Sequence, residues 1–140
     1  MGAEEGPTSP FAIHLAPVAM SHIAGSISHL LKPHAIGRTR IEIYSCAQPN
    51  SHPHLGSITT LMCAFTVAHH LQEHLKLPVS VIFDSLENSP GAWRVVDGQE
   101  FQLSVADTPA PESPEQSKAR VYLDSFDWLL RWLSRRSEIP

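Results

Sequence analysis

The segment Pro49-Asn50-Ser51-His52-Pro53-His54-Leu55-Gly56-Ser57 carries the densest chemistry in the chain. It follows a short apolar run and precedes a long helical pattern. In parallel α/β sheets that junction is where ligands bind. A helix N-terminus presents unpaired N–H groups and a partial positive charge, which suit an anion such as phosphate. His54 adds a further donor. Gly56 has no Cβ, so a flat ring or a phosphate can come close to the backbone. Asp84 closes the next apolar run at the same sheet edge. His52, His54, Gly56, Ser57 and Asp84 are therefore expected to converge, with an anion near the Gly56 and Ser57 amides. Two plainer readings stand beside this one: His52 as a solvated loop residue, and Asp84 as the cap of a turn.

A second group competes for attention. His70-Leu71-Gln72-Glu73-His74 matches the H-x-x-E-H pattern of one class of zinc peptidases. His70 and His74 are i and i+4, so both could face one ion. A helical wheel places them with Glu73 opposite Leu61 and Phe65, on the polar side of a packed helix, and no third ligand has a suggestive context. No metal is expected there. His14, His22, His29 and His34 have no ligand-like spacing and read as structural. Trp93, Trp128 and Trp132 could stack on RNA bases. For Trp128 and Trp132, i and i+4 on a helix, core or interface packing is the preferred reading. Arg131, Arg135 and Arg136 could meet phosphates, but read first as a solvated helix end where the dipole favours cations.

The elements that must position these residues follow from periodicity. Pro17 to about Pro33 has Val18, Ile23, Ile27, Leu30 and Leu31 near helical spacing, stopped at Lys32-Pro33. Ile41–Ala47 (IEIYSCA) is a first strand. Ile58 to Lys76 lacks Pro and Gly and reads as one helix, with Leu61, Phe65, Ala68, Leu71 and Leu75 on one face. Val79 to Leu86 is a second strand whose apolar run suits burial on both faces of a parallel sheet. Strand, helix and strand make a βαβ unit. WRVVDGQEFQLSV reads as a hairpin turning at Asp97-Gly98. A Pro-rich linker is expected at 107–113. Ser113-Pro114-Glu115-Gln116 resembles a helix start, with Ser at the N-cap and Pro at N1. That helix is expected to reach about Ser134.

With these elements laid out, P-N-S-H-P-H-L-G-S after a strand and before a long helix resembles the HIGH region of class I aminoacyl-tRNA synthetases. LPVSVIFDSLENSPG resembles the second strand and its acidic end in that superfamily, most like the lysine-type enzymes. A similarity to fungal arginine-containing cyclodipeptide synthases, which use the same fold with charged tRNA, is also suspected. The resemblance covers roughly Ile41 to Gly91. It implies a Rossmann-like α/β domain and a tRNA-dependent enzyme. His54 matches the first histidine of the motif, which contacts ATP phosphates in synthetases. Leu55 matches the apolar position and Gly56 the glycine under the adenine. Ser57 stands where synthetases usually have His or Asn, and a lysine loop of the KMSKS type is absent from the 140 residues. The resemblance thus implies His54 and Ser57 as catalytic residues, and Asn50, His52, His54, Gly56 and Asp84 as binding residues. ATP is implied as a cofactor if an amino acid is activated. No cofactor is implied if aminoacyl-tRNA is the substrate, which Ser57 favours. The partners implied are tRNA or aminoacyl-tRNA with a small amino acid or nucleotide. The rival from another class is a non-catalytic truncated product or interaction module of the same fold.

Composition bounds these readings. Apolar residues are 42% and charged residues 17%, too apolar for a disordered chain. A formal net charge of −4 excludes a generally basic nucleic-acid module, so any RNA must be held by a local patch. Cys46 and Cys63 form no framework or CxxC pair, so a reducing, cytoplasmic setting is expected. No apolar stretch is long enough to span a membrane. Residues 1–10 read as a flexible terminus and 11–140 as a partial Rossmann-like domain. Two parallel strands are few for such a sheet, so the chain reads as the N-terminal half of the fold, with Ile139-Pro140 leading into another segment. Uncovered edges and apolar faces are then expected to make residues 1–140 alone marginally folded or prone to aggregate.

Overall fold

The computed structural model describes residues 17–86 and 88–140; His14 and the terminus at 1–10 lie outside them. A first helix, α1 (Pro17–Leu31), gives way to a 3₁₀ turn at Lys32–His34, where Pro33 removes a backbone donor. β1 (Ile41–Ala47), α2 (Leu55–Leu75) and β2 (Val79–Ser85) follow. β1 and β2 pair in parallel, from Ile41↔Val79 to Ala47↔Ser85. α2 packs on both strands and α1 packs on α2. The expected strand–helix–strand unit is therefore present, within a chain that mixes helices and strands. Among the described residues its parallel sheet has two strands, and the remaining strands form two antiparallel pairs.

α2 begins three residues earlier than the Pro- and Gly-free window suggests. His54 caps it, so Leu55, Gly56 and Ser57 form its first turn and not a loop. Its buried residues are Leu61, Phe65, Ala68 and Leu71, the face the wheel selects. These meet Phe126, Leu129 and Leu133 of α3 (Lys118–Ser137) and the side chains of Ile41, Ile43, Val81 and Phe83. Odd-numbered residues of both strands thus point to the helices. The even-numbered ones point away, and Tyr44, Cys46 and Asp84 are exposed there. β2 was expected to be buried on both faces. Among the described residues its helices cover one, because α2 and α3 lie on the same side. Its outer edge is not bare: the Val81 N–H donates to the Pro140 carbonyl at 2.9 Å, and Ile139 is wholly buried in the core.

The chain between β2 and α3 departs most from expectation. β3 (Pro90–Val96) and β4 (Gln99–Ser104) make the hairpin anticipated at Asp97-Gly98, whose φ angles of 53° and 78° fit a type I′ turn. The stretch expected to be a linker at 107–113 contributes β5 (Pro109–Ala110), which pairs with β6 (Ser113–Ser117). Ser113-Pro114-Glu115-Gln116 is therefore strand and not a helix start. Pro109, Pro111 and Pro114 each push the preceding residue to extended backbone. The helix starts where the prolines end. Ser117 is its N-cap, accepting from the Arg120 N–H at 3.2 Å. The Lys118 and Ala119 amides, which no helical carbonyl can serve, donate to Thr108 and Val105 at 2.7 and 3.2 Å.

Thr108 ties this region together. Its buried hydroxyl accepts from the Ala92 N–H at 2.9 Å and donates to the Ser104 carbonyl at 2.8 Å. Gly91 lies against it: a Cβ there would sit 2.1 Å from Thr108 Oγ1 and 2.6 Å from the Ser104 oxygen. Only glycine fits. Gly91→Ala is expected to lower the unfolding free energy by about 1–3 kcal/mol, the usual range for overpacking. Urea unfolding checks this, and an unchanged midpoint would show that the hairpin contributes little to the cooperative unit.

Candidate functional site

The carboxyl end of β1 runs through Gln48 and the buried Pro49 into the loop at 50–54. The Leu86 N–H donates to the Ala47 carbonyl at 3.0 Å, which fixes the exit of β2 beside that of β1. His54 has extended backbone, φ −106° and ψ 173°, as an N-cap requires. Its Nδ1 accepts from the Gly56 N–H at 3.2 Å. Its own N–H donates to Ser57 Oγ at 3.0 Å, and the Ser57 hydroxyl donates to the His54 carbonyl at 2.9 Å. This is a capping box built from histidine and serine.

The arrangement has a chemical consequence. Nδ1 must keep its lone pair to accept from Gly56, so in the neutral ring the proton sits on Nε2. His54 therefore offers an Nε2–H donor beyond the helix end. The Gly56 amide, expected to face an anion, is already engaged. The Ser57 amide, at N3, faces the same His54 side chain in the capping box. The Ser57 hydroxyl is held between two backbone groups of His54, which makes it part of the cap.

Asn50, His54, Gly56 and Ser57 do come together. With Ser51, Thr60, Gln48, Ala47 and Phe126 they line a cavity of about 320 Å³. The other two expected members lie elsewhere. The His52 side chain turns to α3, where Nδ1 lies 2.8 Å from Ser125 Oγ and the ring meets Tyr122 edge-on at 5.1 Å. It remains an exposed loop residue, as the plainer reading has it, and also tethers the loop to the helix. Asp84 is the last but one residue of β2 and alternates with Phe83, so it is exposed on the sheet face that the described helices leave open. There it adds to the negative field at Tyr44, whose pKa is raised chiefly by the hydrogen bond its hydroxyl donates to Glu42 at 3.1 Å. The sequence assigns Tyr122 and Phe126 to the apolar side of the last helix without linking them to this loop, and gives Ser125 and Thr60 no role.

The second histidine group is organised differently. His70 and His74 stack at 4.0 Å, and His74 Nδ1 is 2.9 Å from the His70 carbonyl. Glu73 pairs instead with His69, at 3.7 Å. Among the described residues no three His, Cys, Asp or Glu side chains gather where they could hold one metal ion.

His70 has a lowered pKa, first through burial and then through His74. The folded state therefore binds this proton less readily than the unfolded chain, whose histidine titrates near about 6.5. The stability associated with neutral His70 is intact above that value and is lost as pH falls through the depressed folded value. The midpoint of unfolding is expected to drop on acidification in this window, and to drop less in His70→Gln. Parallel slopes for the two proteins would rule the linkage out.

No family model matches the chain, and no curated protein or solved structure is similar to it. Among the described residues no helix is long and apolar enough to cross a membrane.

Proposed function

We propose that the chain is a Rossmann-like domain of a tRNA-dependent, cytoplasmic enzyme of the class I aminoacyl-tRNA synthetase-like superfamily, and that it acts on aminoacyl groups already carried by tRNA. The observation that carries this reading is the cavity at the carboxyl end of β1, lined by His54, Gly56 and Ser57 at the start of α2, with the His54 Nε2–H as the donor the cap leaves over. Such a donor suits a developing oxyanion. The same lining fits ATP poorly, since it holds no Lys or Arg to meet a triphosphate. The reaction in keeping with it is attack by the amine of one aminoacyl group on the ester carbonyl of another. A C–N bond forms, the C–O bond to tRNA breaks, and the tRNA leaves with its hydroxyl. His54 would hold the carbonyl oxygen while charge develops.

The test is direct. The protein is incubated with charged tRNA, with and without ATP, and products are identified by mass. A cyclic or linear dipeptide without ATP supports the reading. Aminoacylation that requires ATP and free amino acid would replace it with a synthetase. No product in either arm would favour a non-catalytic interaction module, a reading to which the uncovered face at Tyr44, Cys46 and Asp84 gives some substance.

A further inference from the structure

The outer face of α3 carries a second surface, beside the candidate cavity. The helix turns Phe126, Leu129 and Leu133 into the core, which leaves Trp128 on the opposite side, 64% exposed. Of the expected core or interface packing, this excludes the core for Trp128. Trp128 forms one wall of a groove of about 470 Å³, with Pro53, Ile58 and Leu129 supplying apolar contact and Asp124 and Ser125 its polar rim. Towards the helix C-terminus the same side presents Arg131, Arg135 and Arg136. Asp127 pairs with Arg131 at 2.7 Å and Asp124 with Arg120 at 3.4 Å. Arg135 and Arg136 have no carboxylate partner among the described residues, and Arg136 lies 5.8 Å over the Trp132 ring. Glu138 is the acid that follows them.

We infer that this face binds a single-stranded nucleic acid, with a base on Trp128 in the groove and the following phosphates on Arg135 and Arg136. Three observations carry it. A flat indole in an apolar slot is a stacking platform for any base. Residues 128 and 135 are separated by about 10 Å along the helix, within reach of phosphates one or two nucleotides on. Two unpaired guanidiniums on a chain of net charge −4 concentrate positive potential at one place. A lipid surface fits less well: the apolar side of α3 is spent on the core, and Asp124 and Asp127 share the outer side with a single exposed tryptophan.

The inference deepens the proposed function, since Pro53 of the groove belongs to the loop that ends at His54, and His52 ties that loop to Ser125. A strand seated on Trp128 would run beside the cavity, as the 3′ end of an aminoacyl-tRNA must. The experiment is fluorescence anisotropy with a labelled single-stranded RNA, a duplex of the same sequence, and anionic vesicles as competitor. Single-stranded RNA is expected to bind. Trp128→Ala should weaken it about tenfold. Arg135→Glu with Arg136→Glu should weaken it further and flatten the salt dependence by about 1.4 units of slope, as the loss of two phosphate contacts to a single strand requires. His70→Ala should bind normally. Equal affinity of the Trp128→Ala protein, preference for the duplex, or displacement by vesicles would each overturn the inference. Circular dichroism of each variant confirms that the fold is kept. Binding without dipeptide formation would sink the enzyme reading alone; turnover unaffected by Trp128→Ala, without binding to this face, would sink only the surface.

Discussion

Phe126→Ala is expected to cost about 3–5 kcal/mol of unfolding free energy, the range for truncating a buried phenylalanine. The ring is 2% exposed and stacks on Phe83 at 5.4 Å and 21°. It also joins the cluster formed by Leu61, Phe65 and Leu71 of α2 and Leu129 and Leu133 of α3. Phe126 is thus where the parallel strands, the crossover helix and the last helix meet. A void there can close only if α3 shifts, and α3 is held at its start by Thr108 and Val105. A loss of this size is a large part of the roughly 5–15 kcal/mol by which domains are stable. Trp128→Ala, two residues away on the outer side, should stay within about 0.5 kcal/mol as surface changes do. Urea unfolding of the two variants distinguishes them; similar losses would mean that α3 is docked in another orientation. Because Phe126 also lines the cavity of His54, Phe126→Leu, which keeps much of the apolar volume, is the variant in which to look for an effect on chemistry.

What could be read in the sequence was what short-range periodicity dictates. IEIYSCA and VSVIFDS are strands because β-branched and aromatic residues crowd into runs too short for helices. Asp97-Gly98 is a turn because both positions need φ above zero. The apolar face of α2 followed from the wheel. What escaped the reading depends on contacts between distant segments. The prolines at 109, 111 and 114 signal a linker and a helix start equally well. They become β5 and β6 because Thr108 and Val105 offer carbonyls to the first amides of α3. Trp128 and Trp132 look alike in sequence at i and i+4. Only the docking of α3 through Phe126 and Leu133 separates an exposed indole from a half-buried one. The site was half legible. Asn50, His54, Gly56 and Ser57 converge because they are local to one strand–helix junction. Asp84 does not join them, and the alternation of strand side chains, with Phe83 facing the helices, contains that result.

His54→Ala is expected to reduce turnover on charged tRNA by about 10²–10³, the loss typical of one oxyanion donor. The cap geometry adds a second effect that a loop histidine would not have: removing the acceptor of the Gly56 N–H should cost about 1 kcal/mol of stability. The two effects separate in His54→Asn. Asparagine is among the best N-caps, so stability should return. Its short side chain places no donor where Nε2–H stands, so turnover should not. Gly56→Val should lose both, because a Cβ at Gly56 would lie 3.1 and 3.2 Å from Cε1 and Nδ1 of His54 and push the ring from its position. His70→Ala touches neither the cavity nor the cap and should leave turnover near wild type. Melting curves and single-turnover rates for the four variants give independent readings of cap and donor. Recovery of turnover in His54→Asn would reduce His54 to a structural cap. Full activity in His54→Ala with loss in His70→Ala would move the chemistry to the far end of α2, where the stacked imidazoles lie.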